Sequence, residues 1–195
     1  MVLCILAAIL CLTGLRLRTQ KTPAPNVSLP VQSLAREARA QFELGKFAEA
    51  EQTYRNILEE APNNLDALSN LGVVLFRAGK LPPAEDALKK AIAVAPKDGF
   101  SHRTLGIVYY SQAKYDEAIN ALTKAIALNP RDAVAHNYLG ITAAQKGWLG
   151  AAQKEFETAG ELDPNFKAAP SPTPSGDFLT PLEKTRFQLP PEARR

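Results

Sequence analysis

The sequence predicts an all-α solenoid of four tandem helical hairpins. Three observations carry that expectation. Prolines recur 34 residues apart at Pro62, Pro96, Pro130 and Pro164. Small residues keep the same period in two columns: Ala50, Ala84, Ala118 and Ala152, and Ala38, Gly72, Gly106 and Gly140. A large apolar column, Tyr54, Leu88, Leu122 and Phe156, runs in phase with them. Columns that stay in register over four units mark a stacked repeat, because each unit must bury its apolar face on its neighbours.

The chain opens on an apolar segment, residues 1–18, whose first 15 positions carry no charge. Its length sits at the short edge of a bilayer span, for which ~17–25 apolar residues are needed. It also falls within the range of a secretory signal's apolar core, although it lacks a basic start. A membrane anchor, a cleaved signal and a misassigned start stay open as readings. Either of the first two brings residues 1–18 into contact with a membrane, as an anchored or an exported protein. Residues 19–30 hold three prolines without apolar periodicity and are expected to be an extended linker.

The four units span 31–64, 65–98, 99–132 and 133–166, and each reads as two helices. In the third, Leu105, Val108 and Tyr109 share a stripe in the first helix. Tyr115, Ala118, Ile119, Leu122, Ala125 and Ile126 line the inner side of the second. Asp116 and Glu117 stand where a helix dipole favours acids, and Asn129-Pro130 stops the helix. The breaks within units are short: Gly45-Lys46, Gly79-Lys80, Ala113-Lys114 and Gly147-Trp148. Such connections make the paired helices antiparallel. The small columns are expected at the helix crossings, where a bulkier side chain would force the helices apart.

The first unit departs from the others. Glu37 and Gln41 replace the Leu71 and Leu75 of unit two, as suits the outer face of an end unit. The second helix of unit two begins near Pro82 and Pro83, where amides lack helical partners and proline is tolerated. Residues 167–195 break the period and hold six of the 15 prolines. They are expected to be a disordered tail. Within them, Thr180-Pro181-Leu182-Glu183 has a capping-box form that would start a short helix over 181–189.

These columns resemble the tetratricopeptide repeat family, over residues 31–166. The resemblance implies a right-handed α-α superhelix whose first helices line a concave groove for a partner's peptide or helix. Transferred slot by slot, that groove would show Arg36, Arg39, Phe42 and Glu43 from unit one. Unit two would add Asp66, Asn70, Val73, Phe76 and Arg77. Unit three would add Phe100, Arg103, Thr104, Ile107 and Tyr110, and unit four Asn137, Tyr138, Ile141 and Gln145. Aromatics and arginines are the types most enriched at binding hot spots, yet Phe42, Phe76 and Tyr110 also suit packing between helices. A carboxylate clamp of the kind some family members use is not expected. Asn70 has a suitable slot, but Ala35 and Thr104 stand where basic residues would be needed.

Other chemistry is sparse. The net charge of +3 comes from the ends, since residues 31–166 carry 15 basic and 17 acidic side chains. That balance argues against neutralising a nucleic-acid backbone. No phosphate-cradling glycine loop or nucleophile elbow occurs. Glu59-Glu60 and Asp116-Glu117 are adjacent, and adjacent residues point to different helix faces. His102 and His136 occupy one slot in consecutive units and are expected to pack there, since zinc normally takes three or more protein ligands. Trp148 is expected to pack within its hairpin. The expected function is therefore a non-enzymatic protein-interaction scaffold without cofactor or metal. The alternative is a structural array that stacks end to end.

Overall fold

The computed structural model describes residues 29–166. The apolar segment 1–18 and the tail 167–195, with its expected helix over 181–189, lie outside the described residues. Eight α-helices follow in order: α1 Leu29–Glu43, α2 Phe47–Glu60, α3 Leu65–Arg77, α4 Leu81–Val94, α5 Gly99–Ser111, α6 Tyr115–Leu128, α7 Ala133–Gln145 and α8 Leu149–Leu162. A 3-10 turn, Pro164–Phe166, closes the series. They pair as four hairpins, α1–α2 to α7–α8, and no strand occurs among the described residues.

Helix α1 takes in the last two residues of the expected linker. Pro30 lies in its first turn, where a missing amide hydrogen costs no helical bond. Helices α3, α5 and α7 start on Asn64, Asp98 and Asp132. Each of these side chains accepts the amide hydrogen three residues on, at 2.9, 3.0 and 3.0 Å. The second helices start on Lys46, Lys80, Lys114 and Trp148 without a side-chain cap. There the preceding turn does the positioning. In the second hairpin the Lys80 amide donates to the Leu75 carbonyl and the Gly79 amide to that of Phe76, a Schellman closure around a left-handed residue. The same slot has positive φ in all four turns: Gly45, Gly79, Ala113 and Gly147.

Within each hairpin the small residue of the first helix meets the large residue of the second. A Cβ on Gly106 would lie 2.6 Å from Leu122 Cγ, and one on Gly140 would lie 2.8 Å from the Phe156 ring. Leu88 and Leu122 are fully buried by this approach, each worth about 1.5–3 kcal/mol of transfer from water.

The first helices also touch one another across hairpins, α3 with α5 and α5 with α7, whereas α4 and α6 have no comparable contact. Helices closer together on one side curve the stack, so the first helices form its inner face. The ends are finished differently. At the start, Gln41 donates to Glu37 and accepts from Thr53 of α2. At the other end Phe166 takes the slot of Asn64, Asp98 and Asp132 and is buried. It folds back onto α8 where another hairpin would begin.

Candidate functional site

The inner face is where the expected groove residues gather, but they are not equally available. Arg36 is exposed and Asn70 is half-buried. Arg39 is half-buried, and its Nε donates to the carbonyl of Ala35 one turn back. Phe42 packs on Phe47 at the mouth of its own hairpin, with ring centroids 5.6 Å apart. Arg77 reaches back from the next hairpin and lies 5.7 Å from both rings. The arginine therefore spends its planar face on aromatic stacking, an interaction that also ties the two hairpins together.

Phe76, Asn137 and Tyr138 are buried, at 7%, 3% and 2% exposure. Side chains so enclosed form the floor of the groove and not a projecting surface. The evenly spaced ladder of Phe42, Phe76 and Tyr110 is thus uneven in space: its middle rung is part of the core. Tyr110 remains half-buried and meets Tyr138 edge-on at 6.2 Å and Tyr115 at 6.0 Å. Burial pushes the phenols of Tyr110 and Tyr138 up, so both remain uncharged hydroxyls.

Arg103 is committed to the fold. Its Nη1 donates to Asp132 Oδ2 at 2.8 Å, and its guanidinium stands 5.0 Å over the Phe100 ring. Its Nε is buried without a hydrogen-bond partner, and so is Oδ1 of Asn137. The two residues hold the same slot in consecutive hairpins, on α5 and α7. Sequence reasoning passed over Asp132, although the column Asn64, Asp98, Asp132 at 34-residue spacing is a readable helix-start signal. It also missed Ser69 and Ser101, whose buried hydroxyls meet at 3.1 Å between α3 and α5.

Charge divides between the faces. The first helices carry Arg36, Arg39, Arg77 and Arg103 against Glu37, Glu43 and Asp66, near neutrality. The second helices carry 11 acids and 5 bases. The outer face therefore repels polyanions.

Three side chains depart from their expected surroundings. His102 and His136 do more than fill an apolar slot: Nε2 of each donates to the carbonyl of the proline six residues earlier, Pro96 and Pro130, at 3.1 Å. Nδ1 of His136 also meets Glu155 at 2.6 Å. The two rings serve separate carbonyls and do not converge on one point. Trp148 is 51% exposed, so it does not pack into its hairpin. Its ring lies under the Lys146 ammonium, at 5.3 Å. No helix among the described residues is long and apolar enough to cross a membrane.

Comparison with known proteins places this geometry. Family models described as tetratricopeptide repeat and TPR repeat match residues 41–105 and 106–147, together more than half of the chain. No curated protein sequence matches it. Among solved structures, MamA from Desulfovibrio magneticus RS-1 is 25% identical, covering 71% of this chain and 78% of that one, with a TM-score of 0.63. PilF of Pseudomonas aeruginosa is 24% identical over 70% of this chain and 62% of its own, with a TM-score of 0.65. The first TPR of Spaghetti (RPAP3), solved bound to an HSP90 peptide, is 22% identical over 60% of this chain and 94% of its own, with a TM-score of 0.59. The last two likenesses are of fold. The repeat period, the hairpins it builds and these matches agree, and the chain belongs to the tetratricopeptide repeat family.

Proposed function

We propose that this protein is a non-enzymatic scaffold whose inner face holds a peptide segment or helix of a partner protein. Tetratricopeptide repeats generally mediate protein–protein interaction, and the groove here has the chemistry for it. One observation carries the reading. Arg103 Nε–H and Asn137 Oδ1 are a donor and an acceptor in the same slot of neighbouring hairpins, both buried and both without partners. Buried polar groups are almost always satisfied. A shift of these side chains on binding would let a main-chain carbonyl and amide of a bound segment complete them, with Tyr110 and Phe100 as flanking aromatic surface.

The test is capture of a partner from the native host by the full chain, compared across variants. Asn137→Ala and Tyr110→Ala should each weaken capture, while Lys124→Ala on outer helix α6 should leave it intact. Unchanged capture by both inner-face variants would overturn the groove assignment. The end-to-end stacking alternative has less support. Phe166 closes the last hairpin, and Glu155 stands in the slot where Ala87 and Ala121 are buried. An anchored or exported location follows only from the composition of residues 1–18 and forms part of this proposal, as the tether that places the scaffold at a membrane.

A further inference from the structure

The four turns inside the hairpins lie along one edge of the stack. Lysines join neighbours there: Lys80 to Glu51, Lys114 to Glu85 and Lys146 to Asp116, at 2.8, 2.9 and 2.6 Å. The first two bonds repeat 34 residues apart, and the fourth turn breaks the pattern. Trp148 stands in the slot of Lys80 and Lys114, and Ile119 in the slot of Glu51 and Glu85. Leu149 takes the slot of Phe47, Leu81 and Tyr115, which are half-buried, yet it is 67% exposed. The fourth turn therefore projects a tryptophan and a leucine side by side. Nothing walls them in: a Cβ on Gly150 would meet no packed neighbour within 4 Å, and Ala151 is exposed. With Leu44 of the first turn, they are three of the four exposed large apolar side chains among the described residues. The charge around the pair is one-sided. Between Asp132 and Glu155 the chain carries no acid, while Lys146 and Lys154 flank the turn. Lys146 lies over the Trp148 ring at 5.3 Å. The next acids along the edge are Asp116, which already holds Lys146, and Glu117.

We propose that the fourth turn is a membrane-contacting tip whose occupant is the anionic face of a lipid bilayer. Tryptophan settles at the level of the headgroups. A projecting leucine enters the acyl boundary, and lysine ammoniums meet anionic headgroups. A tip without surrounding walls suits a surface that deforms around it, since no matching pocket is needed. The inference rests on the membrane location proposed for residues 1–18 and adds the surface that faces the bilayer. Chain length permits it. Residues 19–28 span up to ~33 Å when extended. The 15-residue α1 that separates them from the turn edge is about 22 Å long. Leu44 at one end of that edge and the Trp148–Leu149 pair at the other let it lie along the same bilayer.

Trp148 is the sole tryptophan of the chain, so its fluorescence reports this tip alone. The test mixes the full chain with vesicles of phosphatidylglycerol and phosphatidylcholine, the latter brominated high on its acyl chains. Flotation reads attachment by any segment, and tryptophan emission reads contact at the tip. A blue shift and quenching by the brominated lipid are expected, both smaller without phosphatidylglycerol and at high salt. Leu149→Glu, at an exposed position, should lose both while circular dichroism stays that of the wild type. Val94→Glu, at an exposed apolar position on the opposite edge, should keep both. A chain that floats while Trp148 stays unshifted and unquenched overturns the tip and leaves the location of residues 1–18 standing. No flotation overturns both. The tip is also overturned by a wild-type response in Leu149→Glu, by a lost response in Val94→Glu, or by an equal response without phosphatidylglycerol.

Discussion

Asp132 ties two hairpins together through a single carboxylate. Its Oδ1 accepts the Ala135 amide and starts α7, while its Oδ2 holds Arg103 of α5 at 2.8 Å. Both side chains are largely buried, at 6% and 15% exposure. Asp132→Ala removes a cap worth about 1 kcal/mol and strands a guanidinium, for which breaking a buried pair costs about 3–5 kcal/mol. Asp132→Asn keeps the cap acceptor and loses only the charge. Urea denaturation of the full chain should rank the losses Ala above Asn. Equal losses would show that the cap adds nothing to the ion pair.

Ala113 holds φ of +58° in the slot where the other three turns have glycine. A side chain in the left-handed region costs roughly 1–2 kcal/mol, partly offset in a glycine variant by the looser unfolded chain, about 0.5–1 kcal/mol. Ala113→Gly is therefore expected to raise stability by a few tenths to about 1 kcal/mol. Gly79→Ala should do the reverse. Thermal unfolding monitored by circular dichroism checks both, and a destabilised Ala113→Gly would contradict the strain.

Gly106→Ala brings a methyl within 2.6 Å of Leu122 Cγ and 3.2 Å of the Leu122 amide nitrogen. The second neighbour is backbone and cannot rotate away. Overpacking costs about 1–3 kcal/mol, against about 1 kcal/mol of helix propensity regained. A net loss of up to about 2 kcal/mol is expected, smaller in a Leu122→Val background. A neutral or stabilising Gly106→Ala would mean that the hairpins separate freely at this crossing.

Glu85 on α4 binds Lys89 at 2.6 Å and Lys114 of the next hairpin at 2.9 Å. Hydrogen bonding to Lys89 first, and also to Lys114 and Gln112, lowers its pKa from 4.5 to about 2 against an opposing burial effect. The folded state therefore favours the ionised acid. This contribution is fully present above pH 4.5 and is lost as pH falls towards 2. Glu85→Gln should flatten that part of the acid limb in pH-dependent denaturation, and salt should shrink the difference. Overlapping wild-type and variant curves between pH 5 and 2 would refute it. Glu51 repeats the arrangement with Arg55 and Lys80, so a residual slope should remain.

Much of the fold was legible because its causes are local and periodic. The 34-residue columns specify helix, turn and crossing in each unit, and Leu88, Leu122 and Phe156 stand opposite the glycines that the pattern pairs with them. The site was less legible. A column identifies a slot, but exposure depends on how far neighbouring first helices close over it. Phe76 and Tyr110 share a slot, yet one is core and the other is half-open. Arg103 reads as a free binding arginine until Asp132, 29 residues away, is brought against it.

The sequence by itself determined the period, the number of hairpins and the residues at their crossings, since these follow from steric size and backbone preference within a few residues. Tertiary structure alone decided which polar groups are satisfied. Stacking unites Arg103 with Asp132 and Ser69 with Ser101, and leaves Arg103 Nε and Asn137 Oδ1 without partners. It also decided that His102 reaches the Pro96 carbonyl. Those outcomes depend on distances between separate hairpins, which no local rule of chain conformation specifies.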